Sequence, residues 1–267
     1  MNRVYLRHLV AAYRVRFVIC AAAITLWGLL MPVVYATFGK SLARALENNP
    51  FFSQFSQFGG GDLFSLSGSI AIGFIHPFPI ALLGVFAIGY PIATIAGERQ
   101  RGTLEVILAR PISRRSLYAT AFVVGAIFLG ILMALELIGS VAASAALGVL
   151  GEISVGNVPA LWLNGWLLFV AFLAIGFAAS ISFDRVGPPA GITLAVVLGF
   201  YVIDVVASIW PDARWIGDYS LFDYVRAKQV LGGTLALGDI ALLGAVVAIA
   251  VAIALYVFPR RDIAAPS

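Results

Sequence analysis

Apolar residues fall into six long blocks, at residues 17–38, 69–96, 117–147, 160–182, 190–210 and 240–258. Each is about as long as the roughly twenty residues an α-helix needs to cross a bilayer, so the pattern predicts six membrane spans in an all-α chain. Ahead of the first block, residues 2–15 have a helical period of their own. Arg3, Arg7 and Arg14 share one stripe, while Tyr5, Leu6, Leu9 and Tyr13 cluster opposite. That is the pattern of an amphipathic helix lying on the membrane, with arginines toward lipid phosphates and rings in the headgroup layer.

The stretches between blocks differ in kind. Residues 40–67 carry Asn48, Asn49, Pro50 and the run Gly59 to Gly61, too polar to cross. Their phenylalanines at 51, 52, 55 and 58 keep a helical period and predict a helix resting on the outer surface. In the second block, His76-Pro77-Phe78-Pro79 predicts a kink or break near the outer end. Phe183 to Pro189 is a tight turn, and residues 212–239 are too polar to span. Glu136 lies near the middle of the third block and Asp204 toward the outer end of the fifth. A carboxylate at such depth costs a few kcal/mol (~2.5–3.5 on insertion scales) and must face a helix contact or an aqueous cavity.

The densest polar island is residues 97–118, GERQRGTLEVILARPISRRSLY. Gly97 is expected to end the incoming helix in a left-handed cap and Gly102 to turn the chain. Thr103 is expected to N-cap a short helix over Leu104 to Ala109, with Glu105 in its first turn. Pro111 disfavours helix at Arg110, and Ser113 is placed to cap a helix starting with Arg114 and Arg115. Leu104, Ile107 and Leu108 share one side of the short helix, with Arg101 and Glu105 on another at i, i+4 spacing. The island reads as a rigid amphipathic crossbar between spans two and three.

The run G-E-R-x-x-G-T-L-E-x-I-L-A-R-P-I-S-R resembles the first cytoplasmic loop of ATP-binding-cassette exporter permeases of the type-2 class. Tyr219 to Tyr224 and the tail Pro259-Arg260-Arg261-Asp262-Ile263 resemble that family too, in which a re-entrant helical hairpin often precedes the last span. The resemblance implies one permease domain over 1–267, with a coupling loop at 97–116 that docks on a separate ATPase. It assigns coupling to Glu98, Arg99, Gly102, Thr103, Leu104, Glu105, Pro111 and Arg114, with Leu104 and its neighbours as the apolar docking face. It further implies two cytoplasmic ATPase subunits holding the ATP and Mg, and a second permease, identical or paralogous. No cofactor, metal or catalytic residue is then expected in this chain.

Composition agrees with a multi-pass membrane protein: 61% of residues are hydrophobic, 11% are charged, and the mean hydropathy is +1.00. No cleavable signal peptide is expected, and Cys20 is the single cysteine, which leaves no disulfide within the chain. The basic balance, with a pI near 9.4, points to topology rather than to nucleic acid. Six spans put both termini on the crossbar side, which then holds twelve of the seventeen Lys and Arg residues and four acids, against five and seven on the other. The positive-inside rule makes the crossbar and termini cytoplasmic, in a plasma (inner) membrane.

Other motifs fail on context. Phe38-Gly39-Lys40-Ser41 ends like a phosphate-binding loop, but the required first glycine falls at Val34. Gly59-Gly60-Gly61-Asp62 lies outside the spans and lacks a partner aspartate. A different class, a proton-coupled secondary carrier or channel, would use Glu136 and Asp204 as an intramembrane polar site. A membrane enzyme or a non-transporting sensor is a third reading, and with only His8 and His76 a histidine-based centre has little to work with. Spans rich in Ala, Gly, Phe and Leu suit a lipid-like cargo, but helix packing in lipid demands the same residues.

Overall fold

The computed structural model describes residues 2–39, 65–109 and 111–261. Among them six helices are long and apolar enough to cross a membrane, and no strand occurs. In chain order the helices are α1 (Arg3–Val34), α2 (Leu66–Ile75), α3 (Pro77–Gln100), α4 (Thr103–Leu108), α5 (Arg114–Ala146), α6 (Val158–Ser182), α7 (Gly187–Ile209), α8 (Ala227–Leu231) and α9 (Leu237–Arg260). The spans are α1, α3, α5, α6, α7 and α9, and α4 is the crossbar.

The expected interfacial helix at 2–15 is not separate from the first span. Asn2 caps α1 by accepting from the Val4 and Tyr5 amides, and the helix then runs without a break through Val34. Nothing between Arg14 and Phe17 interrupts it, because both are ordinary helix residues. The two faces are as the spacing predicts, but the ring side meets protein instead of headgroups. Tyr5, Leu9 and Tyr13 are buried, with Tyr13 edge-on to Tyr90 of α3 at 4.7 Å. Arg3, Arg7 and Arg14 stay exposed.

The break at His76 is present and complete. Residues before proline avoid the helical region, and His76 sits at ψ 142° with its Nδ1 accepting from the Phe78 amide. The crossing helix therefore begins at Pro77, not near 69, and Leu66–Ile75 becomes a separate buried helix against α1 and α8. Within α3 two wider π turns, Val85–Gly89 and Ala93–Gly97, flank Pro91. The polar stretch after α7 folds as two 3-10 helices, Pro211–Tyr219 and Leu221–Tyr224, and the five-residue α8, rather than as a hairpin of two α-helices. The expected outer-surface helix with Phe51, Phe52, Phe55 and Phe58 lies outside the described residues.

In lipid, helices associate by close packing and hydrogen bonds more than by apolar burial. The closest contact is α1 on α5, where a Cβ on Gly28 would stand 2.1 Å from the carbonyl oxygen of Glu136. Bare backbone at Gly28 lets the Ser140 hydroxyl donate to the Gly28 carbonyl at 3.1 Å. On α5's contact with α6, Trp162 and Trp166 stack at 5.4 Å and donate to the Gly130 and Ala126 carbonyls, both at 2.8 Å. Phe17, Phe86, Tyr90, Phe128 and Phe177 fill the space among α1, α3, α5 and α6. Edge-on pairs of this kind add roughly 0.5–1.5 kcal/mol each. By contrast the most apolar windows of α7 and α9 are only 22% and 17% buried.

Gly28→Ala is expected to force α1 and α5 apart, because the clash is with backbone that cannot rotate away. The loss should be at least about 1–3 kcal/mol, read as a lower melting temperature in detergent.

Candidate functional site

All the span ends that meet the crossbar lie at one face of the molecule. The Asn2 amide donates to Thr120 near the start of α5 at 3.2 Å, and Arg261 after α9 reaches the end of α6. Both ends of the described chain thus sit beside the crossbar.

The chain enters the crossbar still helical. Gly97 has φ −65° and does not end the helix; the turn is made instead by Gly102, at φ +70°. That left-handed conformation costs other residues roughly 1–2 kcal/mol. Thr103 is not the cap either. It is the first residue of α4, and its hydroxyl donates to the Glu98 carbonyl at 3.1 Å and to the Glu98 carboxylate. Arg101 pairs with that same carboxylate, three residues back, and not with Glu105. A carboxylate already beside the turn is a nearer partner than one across it. Ser113 caps α5 as expected, accepting from the Ser116 amide at 3.2 Å.

α4 is anchored by its apolar side. Leu104 is fully buried, and Ile107, Leu108 and Ile112 pack partly buried against the core. Leu104 therefore fastens the crossbar to its own chain and is not part of an outward docking face. The apolar side chain that faces out is Val106, 66% exposed. Glu105, Leu108, Ala109, Ile112, Ser113 and Arg114 line an open cleft of about 450 Å³ between α4 and the start of α5.

Arg99 and Arg114 likewise turn inward. The last turn of any helix leaves carbonyls without partners, and α6 ends at Phe183 in extended backbone. Arg99, whose side chain is 3% exposed, supplies the missing donor: its Nη1 reaches the Phe183 carbonyl at 3.1 Å and Asp184 Oδ1 at 3.0 Å. Arg261 donates to the Ile181 carbonyl and to the same Asp184 oxygen at 3.0 Å. Arg114 does for α9 what Arg99 does for α6, donating to the Phe258 and Arg261 carbonyls. Cations at helix C-termini are also favoured by the helix dipole. The Gln100 side chain accepts from the Val186 amide at 2.8 Å and adds a further tie to the α6–α7 turn. Among the described residues, Nε and Nη2 of Arg99 have no hydrogen-bond partner.

Of the eight residues expected to couple, Thr103, Glu105 and Pro111 are exposed, Glu98, Gly102 and Arg114 are half-buried, and Arg99 and Leu104 are inside. Asp184, Gln100 and Arg261 were not expected. The one signal for Asp184 was its being the sole acid in the 183–189 turn, on the arginine-rich side.

The intramembrane acids are not brought together. Glu136 is 1% exposed at the α1–α5 contact, and among the described residues neither carboxylate oxygen has a hydrogen-bond partner. Asp204 is half-buried on α7, and among the described residues no ion pair or hydrogen bond joins it to Glu136.

Residues 12–263 match the family model for ABC-2 family transporter proteins, nearly the whole chain. The chain belongs to this family. No curated protein matches it. As an ABC-2 transporter family member it is a membrane transport component, and membership implies association with an ATP-binding-cassette ATPase. In this ABC-2 protein the family match runs through the crossbar and the latch of arginines behind it.

Replacing Gly102 with Ala should strain the left-handed turn by about 1 kcal/mol, opening the crossbar more often. Limited trypsin digestion in detergent is expected to cleave at Arg101 roughly fivefold faster than in the wild type.

Proposed function

We propose that this chain is the permease subunit of an ATP-binding-cassette exporter, with α4 as the coupling helix that receives force from a separate ATPase. The observation that carries this reading is the crossbar itself: a short helix held rigidly behind by Leu104 and the Glu98–Thr103 bonds, and open in front. Its front shows Glu105, Val106, Ala109 and Pro111 beside the cleft. An apolar side chain of the ATPase seated over Leu108 and Ile112, with a polar neighbour at Glu105, fits that surface. ATP and Mg belong to the partner, whose two copies would act on two permeases. The arginine-rich crossbar face, with both termini, is cytoplasmic by the positive-inside rule, in the plasma (inner) membrane.

The second permease has a face available on α7. Gly187, Gly191, Ala195 and Gly199 recur every four residues, and a Cβ on any of the three glycines would meet nothing within 4 Å. Small residues at this spacing let two helices approach closely in lipid. Leu194, Leu198 and Val202 beside the stripe are about half exposed, at 47%, 48% and 55%. The carrier reading has less behind it, since Glu136 and Asp204 form no shared polar path.

The deciding experiment is co-purification of the tagged chain in mild detergent from its native host. Wild type is expected to bring an ATPase subunit with it, and Glu105→Arg to lose that subunit while inserting and folding normally. If the chain purifies alone yet transports in proteoliposomes, the exporter reading fails. Gly191→Ile is expected to convert a permease dimer to monomer at unchanged ATPase binding per chain, measured by native mass spectrometry.

A further inference from the structure

The latch behind the crossbar has an electrostatic arrangement that helix capping alone does not need. Two guanidiniums, those of Arg99 and Arg261, converge on one carboxylate oxygen, Asp184 Oδ1, each at 3.0 Å. They come from different helices: Arg99 from the end of α3, next to the crossbar, and Arg261 from the end of α9. Asp184 belongs to the turn that joins α6 to α7. Like charges this close repel, and the acid between them is what holds them together. Remove the acid and the two arginines have unequal options. Arg99 is 3% exposed and has no route to water, whereas Arg261 is 24% exposed and can swing out. The carbonyls of Ile181 and Phe183 are still within reach of Arg99, and Gln100 still holds the Val186 amide at 2.8 Å. Without Asp184 the end of α9 keeps the Arg261 bond to the Ile181 carbonyl and the Arg114 bonds to the Phe258 and Arg261 carbonyls, but among the described residues Asp184 is the only side chain that engages Arg99 and Arg261 together.

We propose that Asp184 is a positioning residue of the transport cycle: by bridging Arg99 and Arg261 it makes the crossbar, the α6–α7 turn and the end of α9 one body, so that a push on α4 is delivered to the last span as well as to its own flanking helices. The proposal rests on the coupling reading above. Asp184 is not among the residues that line the cleft beside α4, and its side chain is 60% exposed.

The test uses paired nitroxide labels in the full chain on a Cys20→Ser background, reconstituted in phosphatidylethanolamine–phosphatidylglycerol vesicles with the co-purified ATPase. Val186→Cys with Ile253→Cys reports α9 against the turn, and Val106→Cys with Val186→Cys reports the crossbar against the turn; the labelled positions are exposed to 36%, 48% and 66% for Val186, Ile253 and Val106. With Asp184→Asn the 186–253 distance distribution should broaden, the 106–186 distribution should stay narrow, and Asp184→Glu should restore the first. ATP hydrolysis by the complex, relative to the detached ATPase, should fall roughly threefold to tenfold in Asp184→Asn at unchanged ATPase binding. An unchanged 186–253 distribution in Asp184→Asn overturns the bridge, with or without an ATPase present. A broadened distribution with undiminished hydrolysis overturns the positioning role. If the wild-type chain binds no ATPase at all, the coupling reading is what fails, and the distance measurement still decides the bridge.

Discussion

A transmembrane helix that stops at the water boundary leaves its last carbonyls facing nothing in its own chain, and something must supply the donors. In many helices a glycine turned left-handed does so with backbone amides. α6 and α9 end instead in extended backbone at Phe183 and Arg261. Side chains of other segments therefore do much of the work: Arg99 and Arg261 at α6, Arg114 at α9. Each donor comes from a different helix end, so satisfying the carbonyls also ties span ends together. The crossbar is set between two of those donors, Arg99 before it and Arg114 after it. Its position relative to α6 and α9 follows from where their carbonyls are.

Away from that face, distance of approach sets the arrangement. α1 and α5 come together where Gly28 offers no side chain, and this is also where the Glu136 carboxyl is buried without a hydrogen-bond partner among the described residues. A polar group so placed costs free energy, and the nearby Ser140 hydroxyl bonds the main-chain carbonyls of Gly28 and Glu136, not the carboxyl. α6 is the most enclosed of the spans, with 67% of its window buried, and α5, α7 and α9 all lean on it. The outward faces of α7 and α9 are left for lipid or for another chain.

Much of the fold is legible from hydropathy because a bilayer imposes a length on every span, and the break at His76 follows from the steric rule for residues before proline. What periodicity could not separate was a helix lying on the membrane from the first turns of a crossing one, since both need one ring-bearing face and one charged face. Tyr5 and Tyr13 look the same in either case until Tyr90 and Phe86 are placed beside them. The crossbar was legible as a short amphipathic helix with Gly102 at its turn and Ser113 beyond it. Its facing was not. Leu104 read as a docking residue because an apolar side chain in a polar loop has two destinations, a partner or its own core, and only packing decides between them. Arg99 read as a coupling residue for a related reason: two of its partners are main-chain carbonyls, which leave no trace in a pattern of side chains, and the third, Asp184, is distant in sequence. Asp184 could be placed in the right turn, but the two arginines it bridges lie some eighty residues away on either side.

The two π turns in α3 add a consequence of phase. A π turn holds about one residue more than the α-helical turn it replaces, so each shifts everything after it by roughly 100° around the axis. Val85–Gly89 and Ala93–Gly97 both precede the crossbar, and together they displace the angular frame by about 200°. A wheel drawn at constant pitch from Pro77 thus puts the final turn of α3 on nearly the wrong side. Arg99 reaches the interior because that frame has slipped twice. The direction in which the crossbar presents itself to the water is set by two turns enclosed in the membrane, well before the loop that displays it.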